Sequence, residues 1–340
     1  MTPKSDSLPN GGCTNEFLSR PVLVYGPRKA GTTLLQSLLD GGRAMVMLPD
    51  ELKLKYMSRP GWPDGKSAAR WYVEKGRSCF PDLFKVAADD RTVEVKPDTG
   101  VAGLSRAELE EILDLRAYAS GLEGLMRDGT AGVRELIEGE VCAFVGALKE
   151  GPGQAVCWGS KEVGGDPGHV TSLFRKCFPE GRVVYLVRQP EFISRSIIMD
   201  RRRKGKRMSF RRLVHECRDA QEVVNFGLRH ALDGGLVVSY EALTGDTPAI
   251  TDKICSEVGL PADPVHSGPT TLGRAVVVVT SSRQTTKVFR QESDWTKDLT
   301  AREKFAIRFF RLVGPLYYRL KGGRKVPYEE LRGVLAAKGF

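Results

Sequence analysis

Residues Pro21–Leu34 read PVLVYGPRKAGTTL and combine a short apolar run, a glycine-containing loop and the start of a helix. The run Pro21–Tyr25 is typical of a buried β-strand. Backbone N–H groups and the positive dipole end at the start of a helix bind anions, and the hydroxyls of Thr32 and Thr33 offer further donors. This stretch therefore predicts a phosphate-binding loop between a strand and a helix.

The position of the lysine separates this loop from the nucleoside-triphosphate P-loop, GxxxxGK followed by Ser or Thr, whose lysine comes after the second glycine. Here Thr32 follows Gly31, and Lys29 lies inside the loop. Because the Mg²⁺-coordinating arrangement of an ATPase is altered, the order argues against ordinary ATP chemistry. A tight strand–helix turn that carries cations by chance is the alternative interpretation.

The rest of the chain alternates strand and helix patterns, as a parallel α/β sheet does. Residues 52–150 are mainly helical in pattern, and Ser105 with Glu108 has the spacing of a helix capping box. We expect a flexible leader over 1–19 and one domain over 20–340, a three-layer α/β sandwich with a central parallel sheet and a helical insertion. Strands are predicted near 44–48, 155–158, 182–187 and 236–239, and helices near 34–39, 105–119, 167–177, 191–202, 248–258, 301–320 and 328–338, with one more ending near 231.

The positive charge of the chain is concentrated in one segment. Its 340 residues include 52 Lys plus Arg and 42 Asp plus Glu, a formal net charge of +10. Eight basic residues and no acidic one lie between Arg201 and Arg212, which leaves +2 for the remainder. The charge is thus not a whole-surface nucleic-acid footprint, and only Phe210 could stack on a base there. A solvated helix face and a contact with an anionic partner both remain open for this run.

Several other classes of protein are disfavoured by composition. The seven cysteines include no CxxC pair, and the four histidines show no metal-ligand spacing, so neither a disulfide framework nor a metal site is expected. No apolar run exceeds five residues, against about 20 for a transmembrane helix, and no signal-peptide segment is present near the start. We therefore expect a cytoplasmic protein with reduced, mostly buried thiols.

The sequence PRKAGTT at 27–33 resembles the 5′-phosphosulfate loop of PAPS-dependent sulfotransferases, usually PKSGTT or PRSGTT. The resemblance implies an α/β enzyme with a P-loop-type nucleotide site that uses PAPS and releases adenosine 3′,5′-bisphosphate. Ala30 replaces the usual serine, so the contact of that hydroxyl is missing. The resemblance gives a cofactor-binding role to Arg28, Lys29, Ala30, Gly31, Thr32 and Thr33.

A second segment resembles the 3′-phosphate site of the same family. The predicted strand RVVYLV ends at Val187, Arg188 follows it, and Ser196 lies eight positions later. A guanidinium at the end of a strand can form a bidentate contact with a phosphate. The resemblance implies that Arg188 and Ser196 hold the 3′-phosphate, which would distinguish PAPS from ATP.

Two later segments also resemble parts of this family. VSYEAL at 238–243 is similar to the "RYEDL" strand end, which we interpret as scaffold, and DWTKDL at 294–299 is similar to a C-terminal segment whose preceding loop closes over the nucleotide. The latter resemblance makes Lys287 and Arg290 candidates for phosphate contact and Trp295 a candidate for adenine stacking. A surface loop with one buried tryptophan is the alternative interpretation.

The general base is expected to be a carboxylate. The histidine-containing "KTH" segment of the cytosolic branch is absent, whereas the carboxylate-using branch places a glutamate after the second strand, where this chain has Asp50 and Glu51. Glu51 is our choice, and Asp50, which could instead cap the next helix, is the alternative. Further candidates, each also explained as a solvated charge, are Glu94 and Lys96 in VEVKP and Lys161 and Glu162 in GSKEV.

The sequence thus predicts a sulfotransferase that moves the sulfuryl group of PAPS to a hydroxyl or amine by in-line transfer, with no metal. Lys29 would stabilise charge on the bridging oxygen, Lys161 could assist the sulfuryl group, and Glu51 would take the acceptor proton. The acceptor could be a small molecule, a carbohydrate or a lipid, because no motif within 50–150 selects one. A small-molecule kinase and a non-catalytic nucleotide- or polyanion-binding protein are the alternatives.

Overall fold

Five parallel strands form the centre of the computed structural model. Their spatial order is β2-β5-β1-β6-β7, and every neighbouring pair in this sheet is parallel. The strands of this sheet are β1 (Val22–Gly26), β2 (Met45–Glu51), β5 (Cys157–Val163), β6 (Arg182–Val187) and β7 (Leu236–Ser239); the short strands are β3 (Phe84–Val86), β4 (Val93–Val95), β8 (Thr270–Thr271), β9 (Arg274–Ala275), β10 (Val278–Val279) and β11 (Gln284–Thr285).

Helices join and cover these strands. They are α1 (Asn15–Ser19), α2 (Thr32–Leu39), α3 (Leu54–Met57), α4 (Gly65–Glu74), α5 (Arg106–Ile112), α6 (Leu115–Asp128), α7 (Val133–Ala147), α8 (Pro167–Cys177), α9 (Pro190–Arg203), α10 (Phe210–Leu232), α11 (Tyr240–Gly245), α12 (Thr247–Glu257), α13 (Ala301–Leu320) and α14 (Tyr328–Ala337). The structure describes residues 13–40, 42–58, 61–62, 65–74, 83–86, 93–95, 104–128, 132–261, 268–276, 278–279, 284–285, 288 and 294–340.

Both faces of the central sheet are covered. All residues of β1 and the last five of β6 are buried, and successive side chains of a strand point to opposite faces. Fully buried strands of this kind occur where helices flank a parallel sheet on both sides. Helix α2 packs against β1, β2 and β5, and α10 packs against β6 and β7. The predicted α/β sandwich with a central parallel sheet is confirmed.

Two strands extend further than their sequence patterns predict. β2 continues through Pro49 to Glu51, with a shift of register between Met47 and Glu51. A proline is tolerated there because β2 is an edge strand, where a missing N–H need not break a ladder. β5 runs to Val163, so Lys161 lies inside the central sheet and not after a short strand at 155–158.

The helical insertion differs from the sequence prediction in two ways. It contains a β-hairpin that was not predicted, and one predicted helix is shorter than expected. β3 and β4 pair as an antiparallel hairpin within the insertion. The predicted capping box of Ser105 with Glu108 is present, but its helix ends at Ile112. A new helix begins at Leu115, because the carboxylate of Asp114 accepts the N–H groups of Arg116 and Ala117 in its first turn, both at 3.0 Å.

Part of the expected leader is ordered against the sheet. Asn15–Ser19 form α1, whose first turn is capped by the Thr14 hydroxyl, which accepts the N–H of Phe17 at 3.1 Å. The side chain of Phe17 is buried in the main core, and Trp158 Nε1 donates a hydrogen bond to the Leu18 carbonyl at 3.3 Å. Burial of an aromatic ring outweighs the turn-forming composition of this stretch. No helix in the described ranges is long and apolar enough to span a bilayer.

Candidate active site

The phosphate-binding loop leaves β1 at the carboxyl edge of the sheet and leads into α2. Gly31, at the N-terminus of α2, has φ +105°, and a Cβ there would lie 2.4 Å from the Tyr240 ring. A Cβ at Gly26 would lie 2.7 Å from the Leu186 carbonyl oxygen. Only glycine fits both positions. The close approach holds the loop against β6 and α11, and no side chain caps the first turn of α2.

Arg188 joins this loop to the strand beside it. One guanidinium nitrogen of Arg188 donates to the Lys29 carbonyl at 3.1 Å and to the Ser196 hydroxyl at 3.4 Å. The guanidinium also lies over the Tyr240 ring, with Cζ 4.3 Å from the centroid. Burial lowers the pKa of Arg188; an arginine nevertheless stays charged in proteins. The two segments predicted to bind the two ends of one nucleotide are thus in direct contact.

Lys29 is held by an acidic residue that the sequence analysis missed. Its Nζ lies 3.1 Å from Asp200 Oδ1, and the same carboxylate contacts Arg203 and Lys204, each at 2.9 Å. Burial opposes ionisation of Asp200, but hydrogen bonds from Lys204 and Lys29 prevail and lower the pKa of Asp200 to about 2. Asp200 follows Ser196 by four positions in α9, so the helical repeat places both on one face.

Lys161 reaches the same edge from β5. Its Nζ donates to the Thr33 hydroxyl at 3.2 Å, at the start of α2. In the sheet, Lys161 pairs with Val24 of β1 on one side and with Glu51 of β2 on the other. The side chain of Lys161 is largely buried, which places a cation between the phosphate-binding loop and the end of β2.

Glu51 lies at the end of β2 between two lysines. Its Oε2 accepts hydrogen bonds from Lys53 Nζ and Lys55 Nζ, both at 2.9 Å. Burial would raise the pKa of Glu51, but the two ammonium groups outweigh it and place this pKa below its usual range. The carboxylate is therefore ionised at neutral pH. The spacing of Glu51, Lys53 and Lys55 at every second residue is the sequence signal that could have identified both lysines.

Glu162 forms the inner part of this cluster. Its side chain is 0% exposed; Oε2 accepts the N–H of Leu54 at 2.6 Å, and Oε1 lies 3.4 Å from Lys55 Nζ. Burial raises the pKa of Glu162 to about 7, against the attraction of Lys55 and with the repulsion of Glu51. Glu162 therefore supports the start of α3 and positions Lys55, and its carboxyl group does not face solvent.

The family model described as "Sulfotransferase family" matches residues 21–264, well over half of the chain. This chain belongs to the sulfotransferase family. The matched region includes the phosphate-binding loop, Glu51, Lys161 and Arg188, and it ends before α13. No curated protein matches the sequence.

Solved structures similar to this sulfotransferase share little sequence with it. A sulfotransferase domain from the Synechococcus PCC 7002 olefin synthase is 15% identical, with a TM-score of 0.49 over 86% of this chain and 94% of that one. A sulfotransferase domain from the curacin biosynthetic pathway is 13% identical, with a TM-score of 0.47 over 85% and 96%. A sulfotransferase from Alicyclobacillus acidocaldarius is 15% identical, with a TM-score of 0.34 over 87% and 96%. The family assignment rests on the family model.

Some predicted site residues of this sulfotransferase lie elsewhere. Glu94 is exposed on β4, in a hairpin that packs against α4 and α6. Trp295 is half-buried against the apolar cluster of α9, α10 and α13, and its stacking on adenine stays a prediction. Lys96, Lys287 and Arg290 lie outside the described residues, as does the side chain of Asp50.

The run 201–212 is not a single helix face. It comprises the last turn of α9, a connecting turn and the start of α10. Arg202 lies 2.6 Å from Glu303 of α13 and donates to the Asp298 carbonyl at 2.7 Å, and Arg212 lies 2.6 Å from Glu216. Much of the run therefore neutralises acidic groups of its own chain.

Away from this edge of the sheet, the described residues contain a cavity but no cluster of metal-ligand side chains. The described ranges contain no group of three or more His, Cys, Asp and Glu side chains that could hold a metal ion, and the six cysteines among them are free thiols. A cavity of about 630 Å³ lies at the opposite, amino edge of the sheet, lined by Asp40, Met45 and Gly151 among others. It contains none of the predicted site residues.

Proposed function

We propose that this sulfotransferase transfers the sulfuryl group of PAPS to a hydroxyl or amine of an acceptor, by in-line displacement and without a metal. The observation that carries the proposal is the position of Arg188, which contacts both the phosphate-binding loop and Ser196. The half-buried guanidinium of Arg188 and a second anion-binding group, the start of α2, adjoin one another at the carboxyl edge of the sheet. Ligands of open α/β sheets bind at this edge.

The residues present fit a nucleotide that carries anionic groups at two positions. The first turn of α2 has no side-chain cap, so its N–H groups are directed at the loop, with Thr33 exposed beside them. Lys29, half-buried, and Arg28, exposed, add positive charge to this end. These groups would hold the 5′-phosphosulfate. Arg188 and Ser196 would hold the 3′-phosphate, a group that ATP lacks.

PAPS supplies an activated sulfuryl group, and its transfer needs charge neutralisation more than covalent help from the protein. Lys29 and Lys161 place two ammonium groups at the loop, where negative charge develops on the leaving oxygen. Lys29 must exchange its contact with Asp200 for a contact with the ligand. The carbonyl of Lys29 stays fixed by Arg188, so the side chain can move while the loop does not.

Glu51 accepts the proton of the acceptor in this proposal. Both lysines contact Oε2 of Glu51, and among the described residues no side chain hydrogen-bonds Oε1, which can face an acceptor. The lowered pKa keeps the carboxylate ionised at neutral pH. Glu162 has the higher pKa, but its buried carboxyl group is engaged by Leu54 and Lys55. Access to substrate therefore favours Glu51 over Glu162.

Calorimetric titration tests the donor before any acceptor is known. We expect adenosine 3′,5′-bisphosphate to bind at least about 10-fold more tightly than ADP, because only the former has the 3′-phosphate that meets Arg188. Arg188→Leu should abolish this preference. Arg182→Gln, at the exposed opposite end of the same strand, is the matched control and should keep it. Tighter binding of ADP, dependent on Mg²⁺, would instead identify a kinase.

A further inference from the structure

Helix α13 has two apolar faces. Ala306, Ile307 and Phe310 belong to the face that is buried against α10. The opposite face carries the α13 stripe, a row of exposed apolar side chains spaced four, three, four and four residues apart, which aligns them on one side of a helix. Its members are Phe305 (59% exposed), Phe309 (36%), Leu312 (79%), Leu316 (60%) and Leu320 (80%).

The stripe is not a chance scatter of surface apolar residues. Seven large hydrophobic side chains are exposed in the described part of the chain, and five of them form the stripe. Single exposed apolar residues are normal, whereas a contiguous exposed row marks a surface that contacts something apolar. At 1.5 Å per residue the row from Phe305 to Leu320 is roughly 22 Å long. The family model ends at residue 264, so the stripe lies outside the region that it describes.

Positive charge borders this stripe. Helix α13 contains five basic residues and one acidic residue, Glu303, which is already paired with Arg202 at 2.6 Å. The turn between α9 and α10 adds the exposed cations Lys206 and Arg207, and the start of α10 adds Arg211. In the part of the chain that the structure describes, none of the following exposed residues forms an ion pair with an acidic side chain: Lys206, Arg207, Arg211, Arg302, Arg308, Arg311 and Arg319.

An aromatic cluster joins the basic turn to the stripe. The ring of Phe210, at the start of α10, stacks on Phe305 with centroids 6.0 Å apart, and it lies 5.8 Å from Phe309. Phe305 and Phe309 are themselves 6.0 Å apart. The turn and α13 are also tied by Arg202, which contacts Glu303 and the Asp298 carbonyl. The apolar row and the unpaired cations are therefore neighbouring parts of one surface.

We propose that the α13 stripe and the basic turn at 206–211 form a docking surface for an anionic phospholipid bilayer. An amphipathic helix with a basic border lies in the plane of the lipid–water interface, with its apolar side chains among the acyl chains and its cations at the headgroups. Each cation near an anionic membrane surface strengthens binding about five-fold. The helix rests on the surface of the bilayer, because α13 is too polar to cross it.

Charge favours a bilayer over a second copy of this chain as the occupant. Two stripes packed against each other would bring Arg302, Arg308 and Arg319 of one molecule near the same cations of the other. Glu303 is the one acidic residue of α13 and is engaged by Arg202. Like charges at close range oppose such a pairing. An anionic headgroup layer complements the same residues.

Vesicle sedimentation of the full chain tests this proposal. The probes are phosphatidylcholine vesicles with and without about one third phosphatidylserine. We expect binding to the anionic vesicles, weakened by salt because the headgroup attraction is screened. Leu312→Gln with Leu316→Gln should weaken binding about 10-fold or more. Substituting Gln at Lys206, Arg207 and Arg211 should weaken it about 100-fold.

Matched controls and alternative outcomes complete the test. Leu232→Gln changes an equally exposed leucine at the end of α10, and it should leave vesicle binding unchanged. Since all substituted side chains are exposed, thermal denaturation should show the variants folded. Absence of binding to anionic vesicles, or equal binding to vesicles without phosphatidylserine, would overturn the proposal. A dimer in sedimentation velocity that Leu312→Gln with Leu316→Gln dissolves, without vesicle binding, would assign the stripe to a second copy.

Discussion

The phosphate-binding loop and the carboxylate cluster lie at the same edge of one sheet, but their charges are balanced differently. At the loop, Lys29 pairs with Asp200, which is shared with Arg203 and Lys204, and Glu241 is the acidic residue that acts on Arg188. The cluster contains Glu51 and Glu162 together with Lys53 and Lys55. Positive charge is thus in excess at the loop and nearly compensated in the cluster.

The two charge balances favour two different kinds of chemistry, anion binding at the loop and proton transfer in the cluster. An excess of positive charge beside helix N–H groups binds anions strongly. A compensated cluster of carboxylates binds anions weakly, but its proton affinities depend on small changes in its surroundings. Lys161, between the two regions, contacts Thr33 of the loop side and pairs in the sheet with Glu51. In the proposed function the loop binds the donor and the cluster takes the proton of the acceptor, and each of these two roles can be tested separately.

The largest effect is expected for Lys29→Met. Removing one preorganised cation from the leaving group should lower turnover about 10³-fold, while the affinity for adenosine 3′,5′-bisphosphate falls less than about 10-fold, because Arg188 and the start of α2 remain. Steady-state kinetics and calorimetry measure the two quantities. Lys204→Met is the control: Lys204 contacts the same carboxylate of Asp200 from an exposed position. An equal loss of turnover in both variants would show that Lys29 acts by neutralising Asp200 and not by stabilising the sulfuryl group.

The next effect is expected for Glu51→Gln. Without its base the enzyme should lose about 10²-fold or more in turnover, with unchanged nucleotide affinity, since the loop is untouched. Lys55→Met offers a second measurement. Loss of an ammonium group 2.9 Å from the carboxylate raises the pKa of Glu51, so the acidic limb of the pH–rate profile should move to higher pH. Full activity of Glu51→Gln would remove it as the base.

The same contrast explains what the sequence could predict. The loop is a local feature: a strand, two glycines and a helix start lie within fourteen residues, and their spacing alone indicates anion binding. The role of Arg188 at the other end of the same nucleotide was predicted only through a family resemblance, and its direct contact with the loop was not predicted. The Lys29 contact with Asp200 could not be predicted from local spacing, because it joins residues 171 positions apart (200 − 29).

The properties of the carboxylate cluster, in contrast to those of the loop, could not be predicted from a local sequence pattern. Glu51 was predicted as a candidate, but its ionisation depends on Lys53 and Lys55, whose orientation follows from β2 continuing through Pro49 and from the turn into α3. The burial of Glu162 follows from β5 being longer than its apolar pattern indicates. Charged residues inside a strand do not resemble a buried segment, so periodicity alone places them outside it.

A smaller effect is expected in the pH dependence of stability. The folded protein raises the pKa of Glu162 from 4.5 to about 7, so the native state binds this proton more tightly than the unfolded state does. The wild type therefore loses stability as pH rises from about 4.5 to about 7, by at most roughly 3 kcal/mol. Glu162→Gln can still accept the Leu54 N–H and has no proton to lose. Its melting temperature relative to wild type should rise by a few degrees between pH 5 and pH 8; a constant difference would show that Glu162 is ionised throughout.

The smallest effect is expected for Asp200→Asn. This variant tests whether Asp200 reduces the affinity of the loop for anions. Asp200 competes with an anionic ligand for Lys29, so neutralising it should tighten binding of adenosine 3′,5′-bisphosphate about three- to ten-fold in calorimetry. The variant should also lose stability at neutral pH, because the lowered pKa of Asp200 contributes stability that is present above pH 3.8 and disappears as pH falls through about 2. Glu216→Gln, which releases only Arg212 at the start of α10, is the matched control and should leave nucleotide affinity unchanged. Weaker binding by Asp200→Asn would mean that Asp200 orients Lys29 for the ligand instead of withholding it.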